Sequence, residues 1–552
     1  MPHYTHRGRA VTAALGEIVA WVLPASRVGI TRTPAAPRAT LVAVAAVVLL
    51  IAPPALADGP AIIIDGRFDD WSSVVPDWTD AAGDGGTSGI DFGEVKLRST
   101  ASRFFISFET GREISLQGER GLVLAIELDN DATTGRALNG LGIDFEWHFG
   151  AREGIAFGPE GKERLRQADV GLRQAPTVSS DRFEVSFERG VRAAGIVLFE
   201  PGTIRVVIED RSGGDVAPDA SSVLEYALWE TTPDEPPLAG LERHDPTHVR
   251  VLSYNVLFDG LFERPEFFER IVGALEPDVI CFQEIYRHDA DAVAAAVATI
   301  LGGDTWRAAG RKDCFVASRY PIERSRVLGP ADENVWAFID LPDDLYDADL
   351  SIVSAHPPCC ARTSARQEEF DVIMAWLREL QGFVAGGNAS GATPGDAEDA
   401  ATVPQGTLTV IAGDMNLVTD SSQLLTLTDG TIGNAQRFGP SFAPDWDGTA
   451  LADAFPLHLT GLESYTWRND EDTYAPGRLD FIIYSDSVAE QGNSFALWTP
   501  DLPYNEFLEP HGLKPHDTLR ASDHLPIVVD LSLPPGGAGA RFPGTRGAGE
   551  AE

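Results

Sequence analysis

The stretch Leu408-Thr-Val-Ile-Ala-Gly-Asp-Met-Asn416 decides the fold of the second half of this 552-residue chain. Its apolar run is typical of a strand that is buried on both faces, and Gly413 ends that run. Asp414 and Asn416 follow two positions apart, so their side chains point the same way along an extended chain. We predict a buried strand that brings a carboxylate and an amide to one edge of a sheet. An Asx turn is the alternative, and it explains one of the two residues better than both.

Two earlier segments are built in the same way, as apolar strands that run into polar side chains. Residues 249–254 lead to Asn255, whose amide can contact a phosphate or a metal-bound water, although for this segment alone an asparagine satisfied by the backbone is the better explanation. Residues 278–282 lead to Gln283 and Glu284. A buried carboxylate needs a partner, and Mg²⁺ is a suitable one. A glutamate that simply reaches solvent is the equal alternative.

Histidines mark the remaining candidate segments. His356 ends the alternating run of residues 350–355 and can contact a phosphate oxygen or donate a proton, but a surface histidine fits as well. His524 follows Ser522-Asp523 directly before an apolar strand. Asp480 begins a neighbouring apolar run and can orient and charge His524, as carboxylates do for many catalytic histidines. A polar turn that caps two strands is the alternative.

From residue 248 onward, strands alternate with helical stretches. Helical spacing of apolar residues predicts helices over residues 265–276, 290–301 and 367–380. Such alternation is typical of an α/β domain in which helices cover the sheets.

In order along the chain, these motifs resemble the endonuclease/exonuclease/phosphatase superfamily, which has a deoxyribonuclease-like fold. The motifs are Asn255, Gln283-Glu284, His356, Gly413-Asp414-Met-Asn416, Arg478-Leu-Asp480 and Ser522-Asp523-His524. The resemblance covers residues 248–533. It implies a four-layer α/β sandwich of two packed sheets with outer helices, and a site at one rim of the sheets.

The resemblance also implies a role for each matching residue. Asp414 would position or deprotonate the attacking water, and His524, supported by Asp480, would contact the scissile phosphate. Glu284 would bind Mg²⁺ or Mn²⁺. The full set of implied roles is catalysis by Asp414, Asn416, His524, His356 and Asp480, metal binding by Glu284, Asn255 and Asp523, and substrate binding by Asn255, His356, Asn416 and Arg478.

The composition predicts a strongly acidic, well solvated surface. The chain has 83 Asp and Glu residues against 43 Lys and Arg residues, and its formal net charge is −40. Such a surface repels nucleic acid and anionic lipid, because polyanion binding relies on Lys and Arg replacing counterions. We therefore expect no broad basic groove. A nuclease would need local arginines, and Arg287, Arg362 and Arg366 are the candidates.

Residues 58–232 are predicted to be an all-β sandwich, because short apolar or alternating runs recur between Gly, Asp and Ser clusters. The opening Ala61–Trp71 and the segment Glu127–Asp144 resemble family 9 carbohydrate-binding modules and related DOMON-like sandwiches. The resemblance implies a carbohydrate as a candidate ligand. Asp129 and Asp131 are candidates for a Ca²⁺ loop, and a hydrated turn is the equal alternative. Trp71 is interpreted as a packing residue.

A signal peptide, a linker and a C-terminal tail are predicted outside the two domains. In residues 1–57, the apolar run Leu41–Ile51 follows two arginines and precedes Ala55-Leu-Ala57, which is the order of a signal peptide. The run is shorter than the about 20 residues of a membrane span, so no transmembrane anchor is expected after cleavage. The Pro-rich residues 233–247 predict a linker with few contacts across it, and residues 534–552 predict a disordered tail.

Together these features predict a secreted or periplasmic, Mg²⁺- or Mn²⁺-dependent phosphoesterase that hydrolyses a phosphodiester with activated water. A nucleic acid is the first choice of substrate. A sphingomyelinase-like lipid phosphodiesterase is the second, and it would show exposed aromatic side chains beside the site, for which Trp467 and Trp498 are candidates. The alternative from another class is a surface carbohydrate-binding protein whose second domain is a scaffold. The sequence does not determine the oligomeric state.

Overall fold

The computed structural model describes residues 61–87, 89–219, 221–228, 236–330, 333–382 and 402–534. These residues all fall in one compact unit that spans 58–552. The predicted signal peptide, the start of the predicted linker and the predicted tail after Pro534 lie outside the described residues. Within the described ranges, no helix combines the length and the apolar character that crossing a membrane requires.

The first part of the structure is β-rich, as predicted. Its strands are β1 (Trp78–Thr79), β2 (Glu94–Ser99), β3 (Arg103–Ile114), β4 (Leu122–Glu127), β5 (Arg136–Leu138), β6 (Leu141–Ile143), β7 (Phe145–His148), β8 (Glu153–Gly158), β9 (Gly161–Leu165), β10 (Arg173–Ala175), β11 (Ser180–Glu188), β12 (Arg192–Ala193), β13 (Ile196–Val197), β14 (Gly202–Asp210), β15 (Val216–Ala217) and β16 (Leu224–Leu228). One sheet is five-stranded in the order β1-β2-β3-β11-β10, and the other is seven-stranded, with β15-β14-β4-β7-β8-β9 and β16 paired to β14. We call this part the sandwich.

Aromatic side chains fill the core of the sandwich. Phe104 and Phe108 from β3 and Phe183 and Phe187 from β11 belong to one buried cluster with Phe145 of β7. Inward-facing residues of two sheets bury their side chains against each other in this way in a β-sandwich. Trp71 belongs to a smaller cluster, where it is fully buried. Trp71 is therefore a packing residue, as interpreted from the sequence.

The second part, called the catalytic part below, alternates strands and helices. Its elements are β17 (Val249–Asn255), α1 (Gly260–Glu263), α2 (Pro265–Leu275), β18 (Val279–Gln283), α3 (Ala290–Leu301), β19 (Arg307–Gly310), β20 (Phe315–Ser318), β21 (Ile322–Leu328), β22 (Asn334–Ile339), β23 (Leu350–Ala355), α4 (Thr363–Leu380), β24 (Leu408–Asp414), α5 (Ser422–Asp429), α6 (Ala435–Phe438), β25 (Ala452–Asp453), β26 (Leu457–His458), β27 (Asp480–Tyr484), β28 (Glu490–Ala496), α7 (Asp517–Ala521) and β29 (Ile527–Ser532). The strands form a seven-stranded sheet, β19-β20-β18-β17-β29-β28-β26, and a six-stranded sheet, β21-β22-β23-β24-β27-β25.

The two sheets of the catalytic part are buried on both faces. Val251 of β17 and Val410 of β24 lie in the layer between the sheets, whereas the next residues, Leu252 and Ile411, face outward. Leu252 packs in a cluster with α2 and α3, and Ile411 packs in a cluster with α4 and α5. The period of two along each strand therefore builds four layers, helix, sheet, sheet and helix, and confirms the predicted fold class.

The sandwich packs directly on the catalytic part, contrary to the expectation of few contacts across the linker. Arg173 of β10 forms an ion pair of 3.1 Å with Glu463 of the catalytic part. The backbone N–H of Ser179 donates to the carbonyl of Thr419 at 2.8 Å. Ala475 belongs to the buried core cluster of the sandwich. These polar and apolar contacts join residues that lie outside the linker, so the composition of the linker did not predict them. The boundaries at residues 232 and 248 stay predictions.

Candidate active site

Strand register brings the predicted site residues to one rim of the two sheets. In the first sheet β17 and β18 run parallel, with Asn255 opposite Gln283, so Glu284 follows next to Asn255. In the second sheet β23 and β24 run parallel and end together, and Asp414 pairs with Asp480 of the antiparallel β27. Carboxyl ends of parallel strands share one edge of a sheet, which is why residues far apart in sequence meet here.

Asp414 is the centre of the resulting cluster. Its Oδ2 lies 3.2 Å from Asn255 Nδ2, 3.3 Å from Asn416 Nδ2, 3.4 Å from His356 Nε2 and 3.5 Å from His524 Nε2. Burial raises the pKa of Asp414, but the charges of His524 and His356 more than offset this and hold the pKa below its ordinary value. Asp414 is therefore a carboxylate at neutral pH, surrounded by donors.

His524 is held by Asp480, as the sequence suggested. His524 Nδ1 lies 2.8 Å from Asp480 Oδ2, and the hydroxyl of Thr466 donates to the same oxygen at 2.7 Å. Burial lowers the pKa of His524, but the carboxylates of Asp480 and Asp414 raise it to about 10. His524 is thus an imidazolium at neutral pH, with Nε2 directed towards Asp414.

His356 forms a matching pair with Asp313, a residue that the sequence reading missed. His356 Nδ1 lies 2.9 Å from Asp313 Oδ1, and the same carboxylate oxygen accepts the backbone N–H of Glu284 at 2.9 Å. Burial lowers the pKa of His356, and hydrogen bonds to Asp313 and Asp414 raise it well above its ordinary value. The available signal was the polar pair Lys312-Asp313, which stands one residue before the apolar strand β20, whereas the predicted site residues were sought mainly where strands end.

Glu284 sits in a conformation that the surrounding hydrogen bonds hold in place. Its φ of 65° lies in the left-handed region, which non-glycine residues rarely adopt. Glu284 Oε2 accepts the backbone N–H of Phe258 at 3.0 Å, and its Oε1 lies 3.2 Å from Asn255 Nδ2. The side chain is thereby turned towards Asp414, since both carboxylates share the Asn255 amide.

The remaining predicted residues divide into two groups. Asn416 and Asp523 both line the cleft. Asn416 Nδ2 donates to the carbonyl of Pro357 at 3.1 Å, and Asp523 Oδ2 accepts the indole N–H of Trp467 at 3.1 Å. Arg478 is not brought to the cleft, because its guanidinium pairs with Asp453 and lies 4.1 Å and 4.0 Å from the ring centroids of Phe455 and Phe481.

The arginines and tryptophans named from the sequence also separate. Arg362 and Trp467 line the cleft. Arg366 is fully buried and bonds to Gln423 and nearby carbonyls, so it supports the loop instead of meeting a substrate. Trp498 is buried in the layer between the sheets. Arg287 is 73% exposed, and its nearest charged partners are carboxylates.

The residues at the rim fit a divalent cation. The carboxylates of Glu284 and Asp523 and the amide of Asn255 are the oxygen-bearing groups that Mg²⁺ and Mn²⁺ prefer. Asp523 Oδ1 is buried and has no hydrogen-bond partner, which is costly for a carboxylate oxygen unless a cation or water satisfies it. The specific ion stays a prediction.

The cluster lies at the bottom of a cleft of about 790 Å³. Glu284, His356, Asp414, Asn416 and His524 all contribute to its lining. A buried carboxylate between two imidazolium groups can hold a water and place positive hydrogen-bond donors on an oxyanion. A four-layer α/β sandwich with this arrangement at its rim is suited to the hydrolysis of a phosphoric ester.

The comparison with known families agrees with this class. Residues 252–524 match the model of the Endonuclease/Exonuclease/phosphatase family, and this part of the chain belongs to that family. In a comparison with curated proteins, nothing matches the chain. The predicted resemblance of the catalytic part is thereby confirmed, whereas the resemblance of the sandwich to carbohydrate-binding modules is not.

Several solved structures contain chains similar to this one. The human Nocturnin catalytic domain with bound sulfate anion is 16% identical, with a TM-score of 0.33, and the match covers 52% of this chain and 95% of that chain. D. rerio TDP2 complexed with single strand DNA product is 15% identical, with a TM-score of 0.31, and the match covers 52% of this chain and 100% of that chain. An AP endonuclease from Archaeoglobus fulgidus is 14% identical, with a TM-score of 0.30, and the match covers 51% of this chain and 98% of that chain. At these identities and TM-scores, the likeness carries no argument about the substrate of this chain.

Proposed function

We propose that the catalytic part hydrolyses a phosphodiester with a water held at Asp414, in the presence of Mg²⁺ or Mn²⁺. One observation supports this most directly: four hydrogen-bonding side chains converge on Asp414 Oδ2 within 3.5 Å. Such a set of groups is suited to orienting a nucleophilic water beside an oxyanion. The activity class follows from the family, and the metal, the water and the diester are the proposed refinements.

The residues divide the work by their charge states. Asp414, ionised at neutral pH, accepts a hydrogen bond from the water and directs its lone pair to phosphorus. His524, protonated and held by Asp480, donates from Nε2 to a phosphoryl oxygen as charge builds there. His356, whose Nδ1 is held by Asp313, likewise donates from Nε2 to a phosphoryl oxygen. When bound, the metal ion would neutralise charge on the phosphoryl oxygens, with Glu284, Asn255 and Asp523 as its holders.

A nucleic acid is the first candidate substrate, and a phospholipid is the second. Arginines line the cleft at Arg152 and Arg362, which supports a substrate with anionic groups besides the scissile one. Exposed aromatic side chains of the cleft lining, Phe258, Tyr286 and Tyr474, support stacking of bases. The same exposed rings are the observation that favours a lipid, because apolar surface beside a site can contact acyl chains or headgroups.

Steady-state kinetics of the purified chain test the proposal. Bis-p-nitrophenyl phosphate, single- and double-stranded DNA, RNA and sphingomyelin vesicles are assayed with Mg²⁺, with Mn²⁺ and with EDTA. We expect a diester to be hydrolysed only with metal, and oligonucleotides before vesicles. Vesicle cleavage alone would establish the lipid candidate. If a folded protein hydrolyses none of these with either metal, the proposed activity is wrong and the scaffolding alternative gains.

We also propose that the protein is exported to the periplasm or beyond. The support is the order of arginines, apolar run and Ala55-Leu-Ala57 within residues 1–57. N-terminal sequencing of the protein recovered from its native host tests this. A mature chain that begins close to Asp58 is the expected result, and an uncleaved chain retained in the cytoplasm contradicts it.

A further inference from the structure

The cleft has a second wall that does not come from the catalytic part. Seven residues of the sandwich line it together with the catalytic residues. They are Ser115, Leu116, Gln117, Gly118, Arg152, Gln174 and Thr177. The scissile group of any substrate therefore enters between the two parts of the chain, so the sandwich is placed to contact whatever the catalytic part cleaves.

Direct hydrogen bonds fix this wall to the segment 473–478 of the catalytic part. Gln117 Oε1 accepts the backbone N–H of Ala475 at 3.1 Å, and Thr177 Oγ1 accepts the backbone N–H of Arg478 at 2.8 Å. Ala475 itself is buried in the core cluster of the sandwich. Because backbone groups on one side meet side chains on the other, the wall has a defined position relative to the cleft.

Arg152 is the charged residue that the wall presents. Its guanidinium carbon lies 4.2 Å from the centroid of the Tyr474 ring, its Nη1 donates to the carbonyl of Gln117 at 3.1 Å, and its Nε donates to Thr473 Oγ1 at 3.3 Å. Cation–π stacking and two hydrogen bonds hold the planar group in one orientation. Within the part of the chain that the structure describes, the partners of the Arg152 guanidinium are Tyr474, Gln117 and Thr473, and none of them is a carboxylate.

The charge of this guanidinium contrasts with the rest of the cleft. The acidic residues of the lining are Glu284, Asp313, Glu333, Asp414, Asp472 and Asp523, and the arginines are Arg152 and Arg362. Arginines of an acidic protein usually pair with carboxylates, as Arg164 of the sandwich does with Glu153. A guanidinium held without such a partner is ready to bind an anionic group of a ligand.

We propose that Arg152 binds a second anionic group of the substrate, next to the scissile phosphodiester, and that Tyr474 positions Arg152 for this contact. The proposal rests on the proposed phosphodiesterase function and adds to it a requirement for the substrate. A diester that carries a further phosphate at a neighbouring position fits both the catalytic cluster and the wall. The sandwich is then a part of the substrate-binding surface.

The test uses two substrates that differ only in this second anion. One is a dinucleoside monophosphate, and the other is the same dinucleotide with an added terminal phosphate, at its 5′ or its 3′ end. We expect the added phosphate at one end to lower KM of the wild-type protein about tenfold, as for one charge-assisted hydrogen bond. Arg152→Gln should abolish this gain, so that the two dinucleotides are hydrolysed with the same KM.

Three further variants distinguish a direct contact of Arg152 with the substrate from an effect on the packing of the sandwich against the catalytic part. In Tyr474→Ala the terminal phosphate should no longer lower KM, as in Arg152→Gln. Tyr474→Phe keeps the aromatic ring, so in this variant the terminal phosphate should lower KM as in the wild type. Arg166→Gln is the matched control, because Arg166 of the sandwich also bonds to the neighbouring segment, at Asp470 and Glu471, but does not line the cleft. Arg166→Gln should behave as the wild type.

The outcomes are distinguishable from failure of the proposed function. If the wild-type protein hydrolyses bis-p-nitrophenyl phosphate but gains nothing from a terminal phosphate at either end, the Arg152 proposal is wrong and the phosphodiesterase function stands. An equal loss of the gain in Arg166→Gln also overturns it, because the effect would then come from loosened packing. Absence of hydrolysis of every diester contradicts the proposed function itself.

Discussion

At the residue scale, the site consists of one central carboxylate between two aspartate–histidine pairs. Asp480 holds His524, and Asp313 holds His356, each through Nδ1, and both Nε2 atoms face Asp414. The alternation of negative and positive groups compensates charges that would be costly to bury alone. The same alternation keeps Asp414 ionised and the histidines protonated, which sets their roles as acceptor and donors.

Replacement of Asp414 by asparagine tests its role with almost no change of shape. The amide cannot accept from the water as a carboxylate does, so we expect kcat to fall at least about a hundredfold. Steady-state kinetics on bis-p-nitrophenyl phosphate give the measurement, and circular dichroism checks the fold. Asp344→Asn, an exposed aspartate outside the cleft lining, is the control and should be unchanged. Equal activity of the two variants would remove Asp414 from the mechanism.

Glu284 is expected to control the response to metal. In Glu284→Gln the charge that attracts the cation is lost, so the concentration of Mg²⁺ or Mn²⁺ needed for half-maximal activity should rise at least about tenfold. His524→Ala should lower kcat while leaving that concentration nearly unchanged. A metal titration of both variants measures this, and a normal titration curve for Glu284→Gln would contradict the assignment.

The sequence was sufficient to predict site residues that stand at the ends of strands. It was not sufficient to predict a loop residue whose role is to hold another side chain of the site. Asp414, His524 and Asp480 follow or precede apolar runs, and the structure brings them together at one rim. Asp313 was missed because it lies in the loop between β19 and β20, and its pairing with His356 depends on the folded arrangement of the strands. Arg478 was assigned to the substrate only through the family resemblance, but it lies just before β27 and its side chain pairs with Asp453.

At the scale of elements, the parallel pairs β17–β18 and β23–β24 position the site. Each pair ends in register, with Asn255 opposite Gln283 and Ala355 opposite Gly413. The three helices expected from apolar spacing are found as α2, α3 and α4, with α4 beginning four positions before the expected residue 367. The period of the apolar residues identifies helices and strands, because the buried face of each element repeats with the period of that element. The period does not indicate which strands become neighbours in a sheet.

Gly413 is required where β23 and β24 approach each other. A Cβ at this position would lie 2.0 Å from the carbonyl oxygen of Ala355, and its φ of 149° is one that side chains rarely adopt. Gly413→Ala should therefore lower the free energy of unfolding by at least about 1–3 kcal/mol. It should also displace Asp414 and reduce activity.

Urea denaturation of Gly413→Ala can be compared with Gly273→Ala. Gly273 lies inside α2, and a Cβ there would meet Ile300 at 3.9 Å, an ordinary contact. The second substitution should stabilise the protein by up to about 1 kcal/mol, since alanine has the higher helix propensity. If both variants unfold at the urea concentration of the wild type, the close approach of β23 and β24 is not a constraint.

At the scale of the whole molecule, the sandwich and the catalytic part share an interface as well as a cleft. Composition pointed to a boundary, because Pro-rich residues follow the last strand of the sandwich. The interface could not be predicted from the sequence, because nothing distinguishes Arg173 and Glu463 from the many other charged residues of the chain. Their partnership depends on the docking of β10 against a loop that lies 290 positions away.

The pair of Arg173 and Glu463 should make the stability of the molecule depend on acid pH. The two side chains are 9% and 14% exposed. Burial raises the pKa of Glu463, but the charge of Arg173 more than offsets this and lowers the pKa from 4.5 to about 2. A carboxyl group whose pKa is lower in the folded state stabilises above its ordinary pKa, and this contribution is lost as pH falls towards 2. The shift corresponds to about 3 kcal/mol.

Urea unfolding between pH 7 and pH 2 measures this contribution. Glu463→Gln should be less stable than the wild type at pH 7, because Arg173 is left buried without its counter-charge. The difference between the two proteins should shrink as pH falls from 4.5 to 2, since protonation removes the same charge from the wild type. Glu471→Gln is the control, because Glu471 is 89% exposed in its contact with Arg166 and should change stability little. A difference between wild type and Glu463→Gln that stays constant down to pH 2 would show that Glu463 contributes by packing and not by its charge.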